Sequence, residues 1–377
     1  MRVCFGWTMV VFWSLLQRGG RSAFVGRIVV QRSRSPSLLL MTTTITKRYM
    51  ATTTASPLLD KKNIVSVEDC LRALELQKTS NHDPIVFVDG SWYHKGDRNG
   101  RQEFEQGPRI ASARYVDMQD IATTKELYPE LNPKGLKAML PTKELFAATM
   151  DAFGIQNDNH IVIYGKQGTI FLPRTWFLFR SMGHDIDKVH LMEGSLEEWR
   201  DAGGPMEDGP TMVPKARDIL AQSTTNPLYV ARDPPPTVVS MEQLQKVVGE
   251  RNHDDDDNNN NKNVLLLDTR GNQSFAAGHV PGSINLPYSD LVQKDHPHKL
   301  KSRKELKELF HRLGIDVLTD KKVYFTCGSG VSVCNGALAF EECGRHRNQP
   351  TYIYDGSWQE WGKDPNTPKE ESVEEKE

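Results

Sequence analysis

Short, almost wholly apolar runs alternate along the chain with longer stretches in which apolar residues recur every three or four positions. The runs are IVFV at 85–88, HIVIY at 160–164, VLLL at 264–267 and VYF at 323–325. Continuous runs of this length predict strands buried on both faces, as in parallel sheets. Helical spacing occupies 66–76, 142–153, 174–182, 241–248, 302–313 and 334–342. Gly154, Gly183, Gly314 and Gly344 follow four of these stretches, where helix C-terminal chemistry favours glycine. Strand and helix in alternation predict an α/β fold whose sheets are mainly parallel and flanked by helices.

The pattern also repeats. HLMEGSLEEW at 190–199 matches YIYDGSWQEW at 352–361, and each follows an apolar run by the same interval. Gly165 precedes Gly194 by 29 residues, as Cys327 precedes Gly356. Two copies of one domain are expected, at 60–200 and 236–365, joined by a Pro- and Gly-rich linker at 203–236. The second copy is interrupted at 252–263 by NHDDDDNNNNKN, which lacks the glycine and closing glutamate of a calcium loop and reads as a loop insertion. The chain ends in an acidic tail at 366–377, whose last residues, KEESVEEKE, read as solvated.

The first 56 residues have a different character. No acidic residue occurs before Asp60, against eight basic ones, with serine and threonine filling much of the remainder. Arg-rich, acid-poor composition predicts an organelle transit peptide. The apolar stretch 3–16 competes as a secretory signal, but the long basic segment after it favours the mitochondrion, with the plastid second. Internal methionines at 41 and 50 allow a shorter, cytosolic product. That apolar stretch is also too short to span a bilayer, which takes roughly 20 residues. The net charge of −2 gives no reason to expect a nucleic-acid partner, and no membrane attachment is expected.

Chemistry concentrates at TCGSGVSVC, 326–334, immediately after the last apolar run. Cys327 stands where a parallel strand ends, the place at which open α/β sheets hold ligands. Glycines and serines follow, so backbone N–H groups and a helix N-terminus would approach whatever the sulfur carries. The first copy has Gly165 in the cysteine's place, so one copy can perform thiolate chemistry and the other cannot. Tyrosine-phosphatase-like enzymes share the cysteine loop but need an arginine six positions on; here that residue is Val333. A dithiol oxidoreductase is disfavoured because Cys334 lies seven residues away and reads as packed. The five cysteines form no Cys-x-x-Cys pair and are expected to be free thiols. Neither a metal site nor a cofactor is predicted.

These motifs resemble the rhodanese family, specifically its two-domain sulfurtransferases. VLLLDTR at 264–270, GHVPGS at 278–283, CGSGVS at 327–332 and YDGSW at 354–358 carry the resemblance in the second copy. VDGSWY at 88–93, Arg109-Ile110, MLP at 139–141, Pro173-Arg174 and Gly183-His184 carry it in the first. The resemblance implies tandem rhodanese-like domains, the first inactive, with a persulfide on Cys327. Cys-Gly-Ser-Gly resembles members that use 3-mercaptopyruvate, whereas thiosulfate-preferring members resemble Cys-Arg-Lys-Gly, whose charges suit a dianion. Implied substrate contacts are Arg270, pairing with a carboxylate, and the loop residues Gly328, Gly330, Val331 and Ser332; Ser329 would assist proton transfer. The implied acceptor is a thiol such as thioredoxin or glutathione, or cyanide. A thiosulfate sulfurtransferase and a non-turnover persulfide relay to a protein partner are the alternatives.

Two departures stand out. About ten residues that family members carry after Asp-x-Arg, with a second substrate arginine, are absent here. The histidine that some members place before Ile-Pro-Gly is replaced by Arg109, expected to supply the missing positive charge if it faces the cleft.

Overall fold

The computed structural model describes residues 7–18, 21–32, 58–79, 83–94, 96–222, 227–252, 263–346, 348–349 and 351–372. The chain divides into two units, Met1–Thr54 and Ala55–Glu377. In the first, Trp7–Arg18 and Arg21–Arg32 pair as an antiparallel hairpin, with Arg18 opposite Arg21. The rest of the proposed leader, the insertion at 253–262 and the tail residues 373–377 lie outside the described residues.

The second unit holds two five-stranded sheets, each parallel throughout. The strands of the first are β1 (Ile64–Ser66), β2 (Ile85–Asp89), β3 (Arg114–Tyr115), β4 (His160–Gly165) and β5 (Val189–Ser195). Those of the second are β6 (Val238–Val239), β7 (Val264–Asp268), β8 (Ile284–Asn285), β9 (Lys322–Thr326) and β10 (Thr351–Tyr354). Their spatial orders are β1-β5-β4-β2-β3 and β6-β10-β9-β7-β8, the same permutation twice. In both, the central strand is the one that ends at the matched position, Gly165 in β4 and Cys327 just after β9.

The apolar runs have a simple cause. Successive residues of a strand face opposite sides, and here both sides are covered. In β9, Val323 and Phe325 join Phe340 and Ile353 on one side, while Tyr324 joins Tyr354 and Trp361 on the other. Each such fully buried side chain contributes roughly 1.5–3 kcal/mol. The first sheet is buried likewise, around Ile161, Val162, Ile163, Phe146, Trp176 and Trp199.

The helices that follow the two central strands, Leu172–Ser181 and Val333–Glu342, pack against each other and join the halves. Ser302 caps the helix Arg303–Arg312 with a reciprocal Glu305 contact, as Ser195 caps Leu196–Asp201 with Glu198.

Two segments do more than their composition suggests. The connection after residue 203 pairs Met206–Glu207 with Arg109–Ile110 and sends Val213, Ala216, Ile219 and Tyr229 into the first core. The tail does not leave for solvent at 366. Glu370 exchanges backbone hydrogen bonds with His279, and Ser372 N–H donates to the Ala276 carbonyl. The charges visible in the sequence conceal this, because backbone atoms make the contact.

Candidate active site

A cleft of about 500 Å³ opens between the halves. The second half lines it with Arg270, Gly271, Ser274, Tyr288, Cys327, Gly328, Ser329, Val331 and Ser332. The first half closes it with Trp92, Tyr93, His94, Gly168, Ile170 and Phe171. Phe171 stands 5.7 Å from Trp92 and 5.1 Å from Tyr288 between ring centroids, so one aromatic wall draws on both halves.

Cys327 sits at the floor, 1% exposed. Its N–H donates to Ser357 Oγ at 3.1 Å, and that oxygen is 3.8 Å from Sγ. Ser357 is held with φ +50° at the start of its helix, and its hydroxyl donates to the Tyr354 carbonyl at 2.7 Å.

Three of the loop carbonyls are held from outside the loop. Cys327 O accepts from Trp358 N–H at 2.9 Å, and Gly328 O from Gln359 N–H at 2.8 Å. Gly330 O accepts from Arg174 Nη1 at 2.9 Å. In a trans peptide unit the N–H points opposite to the C=O. The N–H groups of Gly328, Ser329 and Val331 are therefore turned away from those donors. Among the described residues, none of the N–H groups from 328 to 332 donates to a protein acceptor. Unsatisfied donors converging at a strand end make an anion-binding concavity. This is what a loop of small residues achieves here.

Only one of the loop glycines is demanded by its backbone. Gly330 has φ +77°, and a Cβ there would lie 2.5 Å from the Asp355 carbonyl oxygen. A Cβ on Gly328 would meet nothing within 4 Å. The Ser332 hydroxyl is bonded to Thr269 Oγ1 at 2.8 Å and is buried, whereas Ser329 is half-buried at the cleft.

Arg270 lies over the Trp358 ring at 4.5 Å. Its Nε and Nη2 grip Asp268, at 3.0 and 2.7 Å, and Nη2 also reaches the Gly278 carbonyl at 2.7 Å. Nη1 makes no hydrogen bond among the described residues and is the nitrogen left for a ligand. Arg109 is elsewhere. It is 3% exposed and does not line the cleft. Its Nη2 pairs with Glu207 at 2.6 Å and its Nη1 with the Gly209 carbonyl at 2.8 Å. The expectation that Arg109 supplies cleft charge is thus corrected: strand pairing with Met206–Glu207 turns it onto the connecting segment.

The other described cysteines are buried structural thiols. Burial pushes Cys334 up to about 12 and raises Cys70 and Cys343 as well. In the first half the matched place is filled. A Cβ on Gly165 would lie 2.5 Å from Thr169 Oγ1 and 2.9 Å from Leu172, so that copy has no room for a sulfur. Ser91 likewise stands where Arg270 would be, its N–H bonded to Asp89 as that of Arg270 is to Asp268.

Sequence reading missed Ser357, Trp92, His94, Phe171, Tyr288 and Ser274 as site residues. Ser357 and Trp92 sat in recognised motifs, DGSW in both copies. The others carry no local signal, because the topology alone brings them to the cleft.

Comparison with known proteins agrees with this geometry. The model of the rhodanese-like domain matches twice, at residues 73–202 and 253–364. A thiosulfate sulfurtransferase of Gallus gallus is 28% identical, over 73% of this chain and 85% of its own length. The mitochondrial thiosulfate/3-mercaptopyruvate sulfurtransferase 1 of Arabidopsis thaliana is 28% identical, over 92% and 90%. The crystal structure of the 3-mercaptopyruvate sulfotransferase SseA from Escherichia coli superposes with a TM-score of 0.60 at 24% identity, covering 79% of this chain and 99% of that one. With a thiol just after the central strand of the second sheet and a filled counterpart in the first, this chain belongs to the rhodanese-like family, in two copies, and is a sulfurtransferase.

Proposed function

We propose that the protein moves sulfane sulfur from 3-mercaptopyruvate to a thiol acceptor through a persulfide on Cys327. The observation that carries this reading is the uncharged loop: its N–H groups offer neutral donors, and Arg270 brings a single cation to the cleft wall. One carboxylate matches one guanidinium nitrogen. A thiosulfate dianion would find no lysine and no second arginine among the described residues that line the cleft. The names of the relatives, which include both donors, are compatible with either.

In the first half-reaction the Cys327 thiolate attacks the mercaptopyruvate sulfur. The carbon–sulfur bond breaks, its electron pair passes to the carbon as the pyruvate enolate, and that carbon takes up a proton. The donor thiol's own proton is released, with Ser329, at the cleft, assisting. The N–H groups of 328–332 hold the charge on the new outer sulfur. In the second half-reaction a thiol of the thioredoxin or glutathione type attacks that outer sulfur, and the Cys327 thiolate leaves. No cofactor is required.

The domain assignment 60–200 and 236–365 and the roles of Cys327, Ser329, Arg270, Gly328, Gly330, Val331 and Ser332 belong to the same proposal. So does mitochondrial delivery by residues 1–56, which a fluorescent fusion of residues 1–60 tests directly. Steady-state comparison of the two donors tests the activity. Pyruvate release from mercaptopyruvate is expected to exceed sulfite release from thiosulfate at equal concentration. Equal or reversed rates would transfer the protein to the thiosulfate class. Persulfide arriving only from a protein donor would make it a relay.

A further inference from the structure

Arg174 belongs to the first half, is 2% exposed, and never reaches the cleft. Nonetheless it bonds directly to the sulfur loop. Nη1 donates to the Gly330 carbonyl at 2.9 Å and to Asp355 Oδ1 at 2.7 Å, while Nη2 donates to the Ala138 carbonyl at 2.5 Å. Asp355 Oδ2 in turn accepts from Leu140 N–H at 2.8 Å. The arginine fork therefore ties three segments together: its own helix, the 138–140 turn, and the loop with the aspartate behind it.

The consequence for the loop is geometric. Gly330 is a residue with a left-handed backbone, φ +77°, and its carbonyl points at Arg174. Fixing that carbonyl on Arg174 turns the Val331 N–H the opposite way. A flipped peptide would remove one donor and present a carbonyl lone pair to a negatively charged sulfur. We propose that Arg174 is a positioning residue for the persulfide: the inactive half uses it to hold the Gly330–Val331 peptide in its donor orientation. The duplicated half, which has glycine in place of the nucleophile, is thereby needed for chemistry as well as for walls.

The proposal rests on the persulfide reading, and a donor-independent probe keeps the two separable. Cys327 in the full chain is alkylated with iodoacetate and with iodoacetamide, and the rate ratio is read by mass spectrometry of its peptide. The thiolate fraction cancels in that ratio, so it reports how well the loop receives an anion. Arg174→Lys is expected to lower the ratio at least fivefold, and to slow persulfide loading to a similar degree, with the donor KM within twofold of wild type. Arg180→Met serves as the comparison. Arg180 also joins the halves, through Glu341 at 3.1 Å, at the end of the helix Val333–Glu342 remote from the loop.

Should the lysine variant fold poorly, Arg174→Met with Asp355→Asn removes both buried charges together and keeps an acceptor for Leu140 N–H. Replacing both partners of a buried pair is tolerated far better than removing one. The same fall in ratio is expected of it. An unchanged ratio in either folded variant overturns the proposal, as does an equal fall in Arg180→Met. If wild-type protein loads from no donor while the ratio still falls, the function is wrong and the positioning role stands.

Discussion

Arg270 and Asp268 show how a side chain serves two purposes at once. Two of the guanidinium nitrogens are spent on an aspartate with no exposure, and the third remains for a ligand. Hydrogen bonds to charged groups contribute about 1.5–3 kcal/mol, which is roughly tenfold to hundredfold in binding. Arg270→Met is therefore expected to raise KM for mercaptopyruvate by that factor, measured in steady state, and to destabilise the fold because Asp268 loses its partner. Unaltered KM would place the carboxylate elsewhere. Cys327 was legible in the sequence as the candidate nucleophile because it follows an apolar run and precedes glycines, at a strand end where open α/β sheets hold ligands. Arg109 was not. Its residue type suited the missing charge, but the direction of a side chain on a two-residue strand is set by what pairs with that strand, and its partner lies near residue 207.

At the scale of the loop, the two glycines flanking Ser329 make opposite predictions. Gly330→Ala places a Cβ against Asp355 in a left-handed conformation and should cost about 1–3 kcal/mol, read as a lowered urea midpoint. Gly328→Arg points into open space and should leave the midpoint in place. It should also raise kcat/KM for thiosulfate relative to mercaptopyruvate roughly tenfold, the worth of one charge-assisted contact. A lowered midpoint without a donor shift would contradict the account of the loop's neutrality. The main elements were readable for the same physical reason: strands covered on both faces must be apolar throughout. β1, β5 and β10 were not read as strands, and neither were β3, β6 and β8, two-residue edge strands too short to carry a period. The contact of the tail with His279 was also hidden, since charge pattern describes side chains and the pairing is through backbone.

For the whole molecule, identical strand order in the two sheets explains why 29-residue spacing survives in both copies, although a cysteine stands at the matched place in the second alone. The first half retains buried polar groups of its own that respond to pH. Burial pushes His184 and His190 down to about 4 and pushes Asp89 up to about 6. Above about pH 6.5 the imidazoles are neutral whether folded or unfolded and stability does not change through them. Below it, the unfolded chain takes up protons that the folded chain refuses, so stability falls until about pH 4. Asp89 works in the other direction, gaining its proton first in the folded state. His160, stacked on His190, is also lowered by burial, so the histidines outweigh Asp89 and leave a net loss. The urea midpoint is expected to drop between pH 7 and pH 4.5; a midpoint that holds or rises would show that these histidines are not buried neutral.

The proposed division of labour between the halves rests on one atom, the sulfur of Cys327. The direct measurement is a single turnover of the full chain with one equivalent of 3-mercaptopyruvate, followed by peptide mass spectrometry under non-reducing conditions. The account predicts a gain of one sulfur atom on the Cys327 peptide, one pyruvate released per chain, and loss of both in Cys327→Ser. A sulfur atom found on Cys70, Cys334 or Cys343 instead, or pyruvate released without any adduct, would contradict it.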